Sequence, residues 1–344
     1  PLELDARVEL AAGMLRAMSL VRGFARLVVL VGHGSSTRNN AHAAGLDCGA
    51  CCGQTGEVNA RLAAALLDDP QVRAELATRG IAIPHDTHFI AALHDTTTDE
   101  VHLLDTDALP DSHAADLAAL QRRLAAAGER ARARRAPRVG VQGDAKSLLA
   151  GLKARARSWA EPRPEWGLAG NAAFIAAPRA CTREVDLQGR AFLHEYDWRH
   201  DEGFAVLELI MTAPLVVAHW INLQYYASTV DNQRYGSGNK LLHDVVGGHI
   251  GVLEGNGGDL RIGLPMQSLH DGERWVHEPL RLTAILAAPQ VAIEQVLAKH
   301  AKVRELVERE WIDLVQLDAD ARVASEWRAG GWVRIAGTRA PSRP

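Results

Sequence analysis

Imidazole and thiol side chains gather in one short stretch of this chain, VVLVGHGSSTRNNAHAAGLDCGACCG (28–53). It holds His33, His42 and three of the chain's four cysteines: Cys48, Cys51 and Cys52. Neutral imidazole and thiolate are preferred zinc ligands, and His33 and Cys48 can approach one ion if the loop between them folds back. The cysteines also admit other chemistry. C-x-x-C-C is half of a zinc ribbon or an iron-sulfur motif, but Cys181 stands alone and supplies no second pair. Cys48 and Cys51 form a C-x-x-C ahead of a helical pattern, the setting of a thiol redox pair. A third reading is that His33 and the cysteines pack among glycines as small buried residues.

The elements around this stretch say how it is positioned. Residues 3–22 carry Leu, Val and Met at helical spacing, and the β-branched run Leu27 to Val31 reads as a buried parallel strand that ends just before His33. Val58 to Leu67 and Pro70 to Arg79 read as helices, and Phe89 to Leu93 as a second strand. That strand runs out into His94, Asp95 and Asp99, a polar string whose readings are a loop capped by its own threonines or a proton relay or supporting shell near a zinc. A third strand is expected at Val101 to Leu104. Alternating strands and helices with polar residues at strand ends predict an α/β fold with a largely parallel sheet.

Farther on the composition changes. Ala114 to about Arg157 is rich in alanine and arginine, and it reads as a helical connection whose arginines form a solvated face, with an acidic lipid or partner surface as the alternative. Phe204 to Leu223 is the longest apolar stretch. Glu208, Pro214, His219 and Asn222 interrupt it, so a buried helix and strand are expected there rather than a membrane span. The exposed side of Phe204 to Tyr226, with Trp220, Tyr225 and Tyr226 at its end, is a candidate docking surface, with a buried core element as the alternative. YGSGN, EGNGGD and HDGERW mark turns in a second, mixed α/β region. His243, His270, His277 and Asp271 are too scattered to define a metal set. The expected division is 1–113, an α/β part carrying the zinc-type residues; 114–158, the connection; and 159–344, the mixed region.

Bulk properties narrow the function classes. A chain of 344 residues buries a large core and exceeds a single small module. A net charge of -4 with 5% aromatic residues gives no footprint for nucleic acid. Clustered cysteines make no disulfide framework and no leader pattern opens the sequence, so a cytoplasmic setting is expected.

Several long motifs resemble, in order, the carboxyl-terminal part of the DabA family, large soluble subunits of bacterial inorganic-carbon accumulation complexes. They are GHGSSTRNNAHAAGLDCGACCG with QTGEVNARLAAALL, IPHDTHFIAALHDTTTDEV, PEWGLAGNAAFIAAPR, APLVVAHWINLQYYASTVDN, YGSGNK and HEPLRL. The resemblance implies a β-carbonic-anhydrase-like domain whose zinc has four ligands, two from a Cys-x-Asp-x-Arg motif and two from a later His and Cys. Here His33 and Cys48 match the later pair. No Cys-x-Asp-x-Arg occurs in these residues, so the chain resembles a fragment or a split subunit that is inactive alone, its amino-terminal half being either a separate chain or a truncated segment. Cys52 stands where the family is expected to have glycine, and Arg38 where a small or apolar residue is usual; neither removes a matched ligand.

The chemistry implied is hydration of carbon dioxide to bicarbonate by a zinc-activated water. The implied partner is a membrane-embedded, antiporter-like subunit of the DabB type that couples hydration to a cation gradient. The implied location is peripheral, on the cytoplasmic side of the cell membrane. The competing function is a soluble thiol redox or structural metal-binding module using Cys48 and Cys51.

Overall fold

The computed structural model describes residues 2–38, 46–48, 51, 53–158, 166–236, 243–246, 251–254, 260–261, 263–319 and 322–335. The chain divides into two compact units. The first comprises Pro1–Leu15, Leu20–Gly167 and Gly236–Gly272; the second comprises Arg16–Ser19, Leu168–Tyr235 and Glu273–Pro344.

The first unit begins with α1 (Leu4–Ala17) and β1 (Leu27–Gly34), followed by α2 (Glu57–Asp68) and α3 (Pro70–Thr78). Then come β2 (His88–Asp95), β3 (Glu100–Leu103), α4 (Ala114–Arg135) and α5 (Ala145–Arg157). Local chemistry sets several boundaries. Asp69 caps α3 by accepting from the Gln71 and Val72 amides, with Pro70 in the first turn where no amide hydrogen is needed. Asp144 caps α5 through the Ser147 amide. The sheet order is β1-β2-β3, with β1 and β2 parallel and β3 antiparallel to β2. The apolar faces of α1, α2 and α3 close over it, and Val8, Leu15, Leu67, Leu76 and Phe89 share one buried cluster.

In the second unit, β4 (Ala173–Ala177) and β5 (Ala191–Glu195) precede three helices, α6 (Ala205–Thr212), α7 (Pro214–Val230) and α8 (Asn232–Tyr235). A small antiparallel sheet, β6 (His243–Val246), β7 (Gly251–Glu254) and β8 (Leu260–Arg261), belongs to the first unit. The second unit resumes with β9 (Leu282–Ala287), α9 (Gln290–Lys299), α10 (Ala301–Glu308), β10 (Ile312–Leu317), β11 (Val323–Arg328) and β12 (Gly331–Arg334). Its six strands run in the order β12-β11-β10-β9-β4-β5. The four from β10 to β5 are parallel, and β11 and β12 add as an antiparallel edge. The fold is therefore α/β with mixed sheets, and among the described residues parallel pairing is confined to β1–β2 and those four strands.

The apolar stretch expected to be a helix and a strand is instead two helices, α6 and α7. An apolar run without period does not distinguish the two states. Pro214 decides where the helices part: it lacks the amide that would continue the first helix and disfavours α geometry at Ala213, whose φ and ψ are -125° and -77°. Among the described residues, the run 202–230 that contains both helices is long and apolar enough to cross a membrane, at mean hydropathy 1.8. Leu207, Ile210, Met211 and Leu215 of this run are nonetheless fully buried against β4 and β9 residues of the second unit's core.

Candidate functional site

The site is assembled at the carboxyl end of the parallel pair β1–β2. β1 does not stop at Val31 but continues through His33 to Gly34, with His33 directly opposite His94 and Gly34 opposite Asp95. Register partners on parallel strands project to the same face, so the two imidazoles stand side by side. Glycine is what allows the next segment to settle on the strand. A Cβ on Gly32 would lie 2.4 Å from the Gly56 carbonyl oxygen, and one on Gly34 would lie 2.9 Å from Thr55 Cγ2. With that space open, the Gly56 amide donates to the His33 carbonyl at 2.8 Å.

Cys48 sits in a small closed loop anchored to the same strand end. Its amide donates to the Gln54 carbonyl at 3.0 Å, and its carbonyl accepts from the Cys51 and Gly53 amides, each at 3.0 Å. The preceding residue supplies the second anchor: Asp47 Oδ1 accepts from the Ser35 amide at 2.8 Å and from Ser35 Oγ at 3.3 Å. The loop is thus tied back to β1 at Ser35 on one side and at His33 on the other. His33 is half-buried, and burial depresses its pKa below 6.5; the Asp47 carboxylate opposes this shift and His94 adds to it. The ring is held neutral at physiological pH, the form that offers a lone pair. Neither Cys48 nor Cys51 is in a disulfide, and the Asn59 side-chain amide donates to Cys51 Sγ at 3.2 Å. Among the described residues, no group of three or more His, Cys, Asp and Glu side chains is arranged to hold a metal. His42 and Cys52 lie outside the described residues.

The loop after β2 packs against the same end. Asp95 Oδ1 accepts from the Thr97 amide at 2.9 Å, Thr97 Oγ1 accepts from the Ser36 amide at 3.0 Å, and Ser36 Oγ donates to Asp95 Oδ2. His94 Nε2 lies 3.3 Å from Asp99 Oδ1. Burial pushes the Asp99 carboxyl up, but hydrogen bonds from His94 and Arg135 and the Arg135 charge outweigh it and hold the group below its ordinary value.

Two arginines of α4 turn inward from the solvated face expected of the helix, a face that Arg122, Arg123, Arg130 and Arg134 do form. Arg132 is only 6% exposed and donates from Nη1 to the Thr98 carbonyl at 2.9 Å. Arg135 donates from Nε to Asp99 and from Nη2 to the Thr97 carbonyl. Gly128 brings the helix backbone flush against the loop, since a Cβ there would meet the Asp99 carbonyl oxygen at 2.4 Å. Asp47, Ser35, Arg132 and Arg135 are site residues that the sequence reading passed over. Their partners lie 12 to 38 residues away and follow no period.

The remaining candidates sit elsewhere. His219 and His277 are buried in the second unit; His277 Nδ1 accepts from the Gly170 amide at 2.9 Å. His270 Nδ1 accepts from the Gly272 amide at 3.0 Å, a turn contact. The side chain of His243 lies outside the described residues. On the proposed docking stretch Trp220 is 63% exposed, whereas Tyr225 is buried and its hydroxyl accepts from the Leu168 amide, so Tyr225 faces inward.

A family model described as "Probable inorganic carbon transporter subunit DabA" matches residues 1–312. The chain belongs to the DabA family. It is 62% identical over 343 residues to the probable inorganic carbon transporter subunit DabA of Ectopseudomonas mendocina, covering 98% of this chain and 42% of that protein. Identity is 60% over 323 residues to the DabA of Acidithiobacillus ferrooxidans, covering 94% and 39%, respectively. The DabA of Roseiflexus castenholzii is 58% identical over 327 residues, covering 95% and 39%. The chain spans about two fifths of the length of these curated relatives. No solved structure matches it.

Proposed function

We propose that this chain contributes His33 and Cys48 as two of the four ligands of a zinc ion in an inorganic-carbon transporter subunit, within a β-carbonic-anhydrase-like site that hydrates carbon dioxide to bicarbonate. The observation that carries the reading is the double anchoring of the Cys48 loop on the His33 end of β1, through Asp47–Ser35 and Gly56–His33. The donor set fits half of a zinc site: a neutral imidazole and a free thiol are ligands that zinc prefers. A catalytic zinc takes about three protein ligands; the family resemblance assigns the others to a Cys-x-Asp-x-Arg motif, which these residues lack. The ion would supply a Lewis acid for the hydration step. This chain's own residues orient that site: Asp47 fixes the loop bearing Cys48, and His33 presents its ring from a rigid strand end.

The same reading assigns the partner as a membrane-embedded, antiporter-like subunit of the DabB type. It places the protein peripherally on the cytoplasmic face of the cell membrane, with carbon dioxide and bicarbonate as substrate and product. Isolated, the 344-residue chain binds zinc weakly and does not hydrate carbon dioxide.

The test uses the full-length polypeptide, produced with the membrane partner. Zinc per chain is measured by elemental analysis, and function by rescue of a strain that needs added carbon dioxide to grow. His33→Ala and Cys48→Ala should each lose zinc and rescue. Undiminished zinc and rescue in either variant would overturn the assignment and favour the thiol module.

A further inference from the structure

We infer that Arg135, acting through Asp99, fixes the His94 imidazole as a hydrogen-bond acceptor beside His33, so that His94 receives an O–H group of water or bicarbonate at the inorganic-carbon site. This rests on the location of that site at the carboxyl end of β1.

The argument begins at Asp99. Its carboxylate takes the Arg135 Nε hydrogen on Oδ2 and approaches His94 Nε2 at 3.3 Å on Oδ1. An ionised carboxylate only accepts, so the hydrogen of the second contact is on the histidine. In the neutral ring that leaves Nδ1 with a lone pair and no hydrogen. The tautomer is thus chosen by the carboxylate, and the carboxylate is placed by α4.

The placement is rigid. Asp99 has a left-handed backbone, φ 55°, which is uncommon for a residue with a side chain and persists where neighbours enforce it. Here the enforcing contacts come from α4: Arg132 on the Thr98 carbonyl, Arg135 on the Thr97 carbonyl, and Gly128 against the Asp99 carbonyl. Asp99 is 12% exposed at its side chain while that of His94 is 36% exposed, so the buried partner holds an imidazole that a small solute can reach. The ladder sets His94 opposite His33. Asp99 and Arg135 are positioning residues, and His94 is the group that meets the ligand.

The first arm uses the 344-residue chain itself, because every residue involved lies in it. In a chain labelled with nitrogen-15 histidine, long-range nitrogen–proton correlation reads each ring's tautomer, and the signals lost in His94→Gln assign His94. The expected wild-type state is Nε2–H. Asp99→Asn, whose single acceptor oxygen is taken by Arg135 Nε, turns its NH2 toward His94 Nε2 and should shift the ring to Nδ1–H; Asp99→Ala and Arg135→Ala should give a tautomer mixture. His113, whose Nε2 lies 2.8 Å from the Asp86 carbonyl, reports in the same spectrum that the unit is folded. An unchanged His94 tautomer in folded Asp99→Ala overturns the inference, as does an Nδ1–H state in the wild type.

The second arm uses the full-length protein with its membrane partner. His94→Phe should rescue growth at low carbon dioxide roughly tenfold less well at unchanged zinc content, the size of effect that residues supporting a metal site have. Full rescue by His94→Phe overturns the role of His94 even if the tautomer result holds. Failure of the zinc reading itself appears separately, as zinc retained in His33→Ala.

Discussion

His33 and His94 are the last-but-one register pair of a two-strand parallel ladder, with Ser36 and Thr97 bonded to each other just beyond them. Two loops that follow two different strands are thereby held as one surface. Each is also fastened from a third direction, the first by Asp47 and the second by α4. Which contacts in this arrangement matter can be tested separately.

Asp47 is expected to fix the Cys48 loop through hydrogen-bond geometry. In the full-length protein, Asp47→Ala should weaken zinc binding about tenfold or more, in the range seen for groups that orient metal ligands. Asp47→Asn retains an acceptor for the Ser35 amide and should recover most of the loss. Competition with a zinc chelator measures both. Equal affinity in wild type and Asp47→Ala would remove this role.

Gly32 is expected to tolerate no side chain. A methyl group there would lie 2.4 Å from the Gly56 carbonyl oxygen, so backbone must move. Gly32→Ala should destabilise by about 1 to 3 kcal/mol, the usual cost of overpacking. Gly13 in α1 is the contrasting case, because a methyl group added there would meet nothing within 4 Å. Gly13→Ala should stabilise by roughly 0.5 to 1 kcal/mol through helix propensity. Urea unfolding of the three chains decides; a Gly32→Ala chain as stable as wild type contradicts the close approach.

Acid should destabilise the second unit through His277. Burial, with a smaller contribution from the Arg190 charge, depresses its pKa from 6.5 to about 4, and its Nδ1 accepts the Gly170 amide in the neutral form. Unfolding restores the ordinary value, so between pH 6.5 and 4 the unfolded chain binds more protons than the folded one. Stability is therefore full above pH 6.5 and falls as pH drops through that window, by about 3 kcal/mol in all at 1.36 kcal/mol per pKa unit. Unfolding measured at pH 7, 5.5 and 4.5 should reveal the decline, with a shallower slope for His277→Gln. Identical slopes for the two chains would show that His277 is not the titrating group.

Cys51 and Cys52 are expected to be dispensable. Exchanging both for alanine in the full-length protein should leave zinc content and carbon-dependent growth intact, because the proposed site uses Cys48 alone from this loop. Loss of metal as large as in Cys48→Ala would move the site to the C-x-x-C-C cluster.

Much of this molecule was legible in its residues taken in order. Period and composition located α2, α3, β1 and β2, because an apolar face repeating at 3.6 residues and a short β-branched run each have one common structural meaning. The long motifs around His33 and Cys48 identified the DabA family, which 62% identity to one relative bears out. The sequence also singled out His94 and Asp99 as a polar string at a strand end, though not which of its readings applies. Tertiary structure alone decided that Phe204 to Leu223 holds two helices and no strand, since an all-apolar stretch satisfies either geometry until packing chooses. It alone also set the pairing directions that make the sheets mixed. Above all, it turned Arg132 and Arg135 inward onto the loop after β2 and brought Asp47 to Ser35. A hydrogen bond between distant residues depends on where two chain segments meet, and no local spacing encodes that meeting.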